Sequence, residues 1–157
     1  MKTDIPQTVY LKDYTPPAFL VDTVDLDFVI ETGSTTVTAT LAVRRNPAVA
    51  AQPLVLDGDE LETLSVAVDG EKWPFSETPT QLTLSDLPGA FTLTTEVRIQ
   101  PDSNTRLSGL YRSKDGYFTQ CEAQGFRRIT WFLDRPDVMS TYTVTLHADK
   151  EKLPVLL

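Results

Sequence analysis

Cysteine is nearly absent from this chain: Cys121 is the only one in 157 residues, so no internal disulfide can form. A reducing compartment is thereby permitted. Histidine is as scarce, with His147 alone. One histidine and one cysteine cannot supply the three or four ligands that a protein-only zinc site usually draws on. Basic charge also falls short. Fourteen Lys and Arg stand against 22 Asp and Glu, giving a formal net charge of -8 and a sequence pI near 4.5. Nucleic-acid binding needs Lys and Arg to neutralise phosphates, and this balance opposes it. The two basic doublets, Arg44-Arg45 and Arg127-Arg128, form no patch. No stretch approaches the roughly 20 apolar residues of a membrane span, and the opening Met1-Lys2-Thr3-Asp4-Ile5-Pro6 has no apolar run of signal-peptide length. A soluble, cytoplasmic protein with no nucleic-acid or membrane partner is the expectation. Missing as well are H-E-x-x-H, C-x-x-C, a Gly-rich phosphate loop and G-x-S-x-G, so none of the common hydrolytic or nucleotide signatures applies.

What is present is period-two alternation. Leu26, Phe28 and Ile30 alternate along one run, and Val37, Ala39, Leu41 and Val43 interleave with threonines along the next. Leu64, Val66 and Val68 lead into Asp69-Gly70, a two-residue hairpin signal. Phe91, Leu93, Thr95, Val97 and Ile99 alternate cleanly, as do Tyr142, Val144 and Leu146 near the end. Short alternating runs rich in Thr and Val predict an all-β, antiparallel β-sandwich with one wet face per sheet. Eleven prolines punctuate it. A chain of 157 residues fits one domain, and burying about 70% of its unfolded surface needs no staples. Residues 101–108 read as a polar loop. Over residues 125–133 the apolar Phe126, Ile129 and Leu133 fall at helical spacing, which predicts a short helical turn stopped before Pro136.

The segment 109–138 stands apart from this scaffold. If Thr119-Gln120-Cys121-Glu122 is a strand, Gln120 and Glu122 share one face and Cys121 takes the other. An amide and a carboxylate aimed at one volume could receive a cationic ligand such as a free amino group. On residue type alone a solvated strand face is the better explanation, since most Gln and Glu are simply exposed. Cys121 would need a histidine base to act as a nucleophile, and a buried packing role suits it better than a dyad with His147. Asp134, Arg135 and Asp137 surround Pro136, an arrangement that turn chemistry accounts for. Trp73, Trp131 and Phe132 could stack a sugar or a base, although aromatics in a sandwich are more often core.

Several blocks in this region carry a family resemblance. Gly109-Leu110-Tyr111, Tyr117-Phe118-Thr119-Gln120-Cys121-Glu122, Gly125-Phe126-Arg127 and Asp134-Arg135-Pro136-Asp137-Val138 resemble, in order and spacing, the N-terminal domain of the aminopeptidase N family of gluzincin zinc metallopeptidases, in its bacterial, alanyl aminopeptidase branch. Pro53-Leu54-Val55-Leu56-Asp57-Gly58 and Ala148-Asp149-Lys150 are similar too. The resemblance implies a saddle-shaped β-sandwich, residues 1–157, truncated before a catalytic domain that it roofs. It implies that Glu122 binds the free α-ammonium group of a peptide substrate and that Gln120 borders the pocket for the first side chain. Zinc, the general base and the G-A-M-E-N segment would belong to the following domain. The isolated chain would then hold no zinc and cleave nothing, and an exposed, partly apolar face would mark where the catalytic domain docks. The alternative is a non-catalytic interaction or carbohydrate-binding module, with a ligand site of its own around Trp73 or Trp131. The closing Lys152-Leu153-Pro154-Val155-Leu156-Leu157 reads as an unfinished apolar strand, as in a piece of something longer.

Overall fold

The computed structural model describes Thr8 and residues 10–155; the reading of the Met1–Pro6 opening segment and that of the terminal Leu156-Leu157 pair lie outside the described residues. Eleven strands are laid out in chain order. They are β1 (Phe19–Ile30), β2 (Thr35–Arg45), β3 (Leu54–Asp57), β4 (Glu62–Val68), β5 (Glu71–Lys72), β6 (Ser76–Glu77), β7 (Gln81–Leu84), β8 (Ala90–Ile99), β9 (Gly109–Ser113), β10 (Gly116–Gln120) and β11 (Thr141–Ala148). The described helical segments are three-residue 3₁₀ turns at Leu11–Asp13, Pro101–Ser103 and Phe126–Arg128.

A six-stranded sheet runs in the order β11-β1-β2-β8-β4-β5, a three-stranded sheet in the order β3-β7-β6, and β9 and β10 pair as a hairpin. Every pairing is antiparallel except β1 with β11, which run parallel from Thr23↔Thr141 to Ile30↔Ala148. The all-β, antiparallel reading therefore holds for the body of the fold, and the long connection from β10 back to the far edge supplies the single parallel pair. The Asp69-Gly70 signal closes β4 onto β5 with both residues at positive φ (50° and 83°), as a primed turn requires.

The alternation reads out as layers. Val37, Ala39, Leu41 and Val43 on β2 are buried, while the threonines between them face outward and are half-buried. Their partners Leu93 and Val97 on β8 are fully buried, as are Leu54 and Leu56 on β3 and Leu82 and Leu84 on β7. Each of these leucines withdraws enough apolar surface to stabilise the fold by about 1.5–3 kcal/mol. Trp131 sits among them at 1% exposure, its Nε1 donating to Thr63 Oγ1 at 2.8 Å. Its ring lies against Gly58, where a Cβ would fall 2.1 Å from the ring edge, so only glycine fits beneath it. Trp131 is core and offers no platform for a ligand. Trp73 packs against the same core and donates to the Ser85 carbonyl at 3.1 Å.

The helical turn expected over 125–133 is shorter than its spacing suggests. It covers Phe126–Arg128 and stops because Phe132 is drawn into a two-way backbone bridge with Asp57, at 2.8 and 3.1 Å. The loop at 101–108 is not uniformly polar, since Pro101 is buried at the start of its 3₁₀ turn.

Candidate functional site

The β9–β10 hairpin pairs Gln120 with Gly109, Phe118 with Tyr111 and Tyr117 with Arg112. One face of it is tied down. Leu110 is buried, the Tyr117 hydroxyl donates to Asp102 Oδ1 at 2.7 Å, and Arg112 Nη1 donates to Asp102 Oδ2 at 3.1 Å. By the period of two, Gln120 belongs to the opposite, outward face, and it is exposed.

The ladder ends at Gln120, which corrects the expectation that one strand face presents both polar groups. Cys121 leaves the hairpin and Glu122 lies in the turn that follows, exposed to solvent. Gln120 and Glu122 remain two residues apart on the surface, but the turn rather than the pleat orients the carboxylate. No ion pair or side-chain hydrogen bond among the described residues engages either of them.

That turn is tightly held. The Gly125 N–H donates to the Cys121 carbonyl at 2.9 Å. A Cβ on Gly125 would stand 2.6 Å from the Gln120 carbonyl oxygen and 2.7 Å from Ser108 Oγ, so the loop can close only on a glycine. Beyond it, Arg127 grips Asp134. Its Nε and its backbone N–H both donate to Asp134 Oδ2, at 2.8 and 3.2 Å, and its Nη2 reaches the Asp134 carbonyl at 3.1 Å. Asp57, at the end of β3, accepts the Asp134 N–H at 3.3 Å and lies 3.7 Å from Arg127. Burial pushes the Asp57 carboxyl above its usual range, and Arg127 offsets part of that rise. Arg128, only 8% exposed, donates to Asp59 at 2.6 Å and to Glu60 at 2.5 Å.

Both arginines of the doublet thus serve the scaffold and take no part in a ligand site. The acidic partners on the β3–β4 connection were missed in the sequence, because nothing local links residues 57–60 to residues 127–134. Within the 134–137 knot, Arg135 pairs with Asp137 at 2.8 and 2.6 Å, and the Tyr14 hydroxyl donates to the same carboxylate at 3.0 Å. The turn role expected of Arg135 and Asp137 stands, while Asp134 belongs to Arg127.

Cys121 is exposed, contrary to the packing role expected of it, because it sits where the chain turns away from the sheet. Partial burial of the sulfur raises its thiol pKa, with the Asp134 charge adding to the rise. A thiol held protonated is a poor nucleophile. His147 lies towards the other end of β11 from Tyr142, about 17 Å along the strand, and its Nε2 meets Asp27 at 2.9 Å. Cys121 and His147 form no dyad.

The arrangement can offer a carboxylate and an amide, both free of side-chain partners among the described residues, from a turn braced on two sides. Comparison with known proteins assigns it a family. The model of the Peptidase M1 N-terminal domain matches residues 20–156, and the chain belongs to that family. It is 48% identical over its whole length to aminopeptidase N of Caulobacter vibrioides, of which it spans 18%. Legionella pneumophila aminopeptidase A, solved in complex with aspartic acid, superposes over 94% of this chain and 18% of its own, with a TM-score of 0.86 and 30% identity. An M1 zinc metallopeptidase from Deinococcus radiodurans shares the fold over 82% of this chain and 32% of its own, at a TM-score of 0.68 and 19% identity. The chain therefore spans less than a fifth of the length of the curated relative it matches.

Proposed function

We propose that this chain is the N-terminal domain of a zinc-dependent aminopeptidase, and that Glu122 binds the free α-ammonium group of the peptide to be shortened. Gln120 borders the pocket for the first side chain. The observation that carries this reading is the exposed, unpartnered Glu122 on a turn braced by Gly125 and by the Arg127–Asp134 pair, in a chain of this family.

The chemistry of an exopeptidase fits such a group. A charge-assisted hydrogen bond from an ammonium to a carboxylate is worth about 1.5–3 kcal/mol. A peptide lacking the amine would leave the carboxylate desolvated and unpaired, which costs more. Glu122 is thus an anchor that positions the scissile bond, not an acid or base. Among the described residues no group of three or more His, Cys, Asp or Glu is placed to hold a metal. In this reading zinc and the bond-breaking groups belong to a following catalytic domain, and the isolated domain cleaves nothing. Tyr142 (46% exposed) and Val144 (54%), apolar groups on the core side of edge strand β11, suit its docking. Cytoplasmic residence is part of the same proposal and rests on the single free thiol.

The test is kinetic, in the enzyme extended to the length of its relatives. Glu122→Ala and Glu122→Gln are expected to lower kcat/KM by about 2–4 kcal/mol in transition-state terms. Unchanged kcat/KM in both would remove the anchor role.

A further inference from the structure

Glu122 is exposed and pairs with no cation among the described residues, yet Arg127 and Arg128 follow it within six positions. The chain between them is folded back on itself. The Gly125 N–H donates to the Cys121 carbonyl at 2.9 Å, and the 3₁₀ turn Phe126–Arg128 begins at the next residue. A carboxylate and a guanidinium separated by one such turn attract each other and, left alone, would pair.

Both arginines are taken by other carboxylates. Asp134 Oδ2 accepts from the Nε and the backbone N–H of Arg127, the Asp134 carbonyl accepts from its Nη2, and Asp57 stands 3.7 Å from that nitrogen. Arg128 is held by Asp59 and Glu60. The Asp134 charge is felt by the Cys121 thiol, so the Arg127–Asp134 pair lies close to the residue that precedes Glu122. Arg127 is the cation nearest to hand for Glu122 in the sequence, and Asp134 supplies most of what holds it elsewhere.

We infer that Asp134 is a positioning residue that keeps Arg127 off Glu122 and so leaves that carboxylate vacant for a substrate ammonium. This rests on the reading of Glu122 as the amine anchor. A guanidinium on Glu122 would occupy the oxygens that the ammonium needs. Substrate would then bind only to the fraction of molecules in which that pair is open, and the apparent affinity would fall by that fraction. Such a competitor weakens ground-state and transition-state binding alike, so KM rises and kcat holds. Loss of a brace acts differently, since a displaced anchor misaligns the scissile bond and lowers kcat.

The experiment measures kcat and KM on alanyl p-nitroanilide in the enzyme extended to the length of its relatives. Asp134→Asn keeps the size of the side chain and a carbonyl acceptor for Arg127 while removing the charge. It should raise KM about fivefold, the scale of one exposed ion pair, with kcat little changed. Adding Arg127→Gln to Asp134→Asn leaves an amide pair in place of the ion pair and removes the competitor. KM should then return towards its original value, although the turn is no better braced. An unchanged KM in Asp134→Asn overturns the inference. So does a double variant no better than the single one, or a fall in kcat at constant KM, either of which would make Asp134 a brace alone. Glu122→Gln reports on the anchor separately, and full activity there would sink the anchor reading whatever Asp134 does.

Discussion

Thr35 begins β2 with its side chain fully buried, and its Oγ1 has no hydrogen-bond partner among the described residues. A buried hydroxyl that gave up water for nothing is a cost. Thr35→Val keeps the shape and the β-branch and removes the orphan oxygen. Thermal or urea unfolding should show the variant more stable by about 1 kcal/mol. Its neighbour in chemistry, Thr95, behaves differently, since its hydroxyl pairs with that of Thr130 at 3.3 Å in the core. There the same replacement would strand Thr130, so it should destabilise. Residues of one type on one sheet thus give opposite signs, decided by a single partner.

At the scale of the element, the segment 125–134 shows what a sequence reveals and what it hides. The long strands β1, β2 and β8 were legible because one buried face imposes alternation over ten or more residues, and β11 alternates as clearly although its apolar face stays exposed. Strands β3 and β6 are too short to display a period, and β9–β10 buries only one face lightly, so its pattern is faint. The candidate residues Gln120 and Glu122 could be named from the sequence. Their support could not, because Arg127 is oriented by Asp134 and Asp57 and Arg128 by Asp59 and Glu60. Asp134→Ala removes the acceptor of two Arg127 bonds from a side chain only 14% exposed. A loss of about 1–3 kcal/mol in stability is expected from the unpaired donors. Amide exchange at Gly125 should speed up beyond that global loss, since the turn bearing Glu122 loses its brace.

For the whole molecule, acid tells two carboxylates apart. Burial raises the pKa of Asp57, so the folded state takes up a proton there before the unfolded chain does. Stability then rises as pH falls through that raised value towards about 4. Arg135, with Tyr14, holds the Asp137 carboxyl below its usual range despite some burial. Its contribution is present above about pH 4 and is lost as pH falls through the depressed value. Unfolding measured from pH 7 to pH 2 should therefore lose the first trend in Asp57→Asn and soften the second in Asp137→Asn.

The contacts that shape the turn bearing Glu122 span long stretches of chain. Asp57 bridges to Phe132 and Asp59 pairs with Arg128, each across about half the molecule. Closing such loops costs entropy before the contacts repay it. The hairpins β1–β2 and β9–β10 close locally, so each can form early. A chain that has made only those hairpins holds Gln120 on its strand but has no defined place for Glu122. The site is thus a late product of folding, completed only when the end of β3 and the connection after it meet the 126–134 segment.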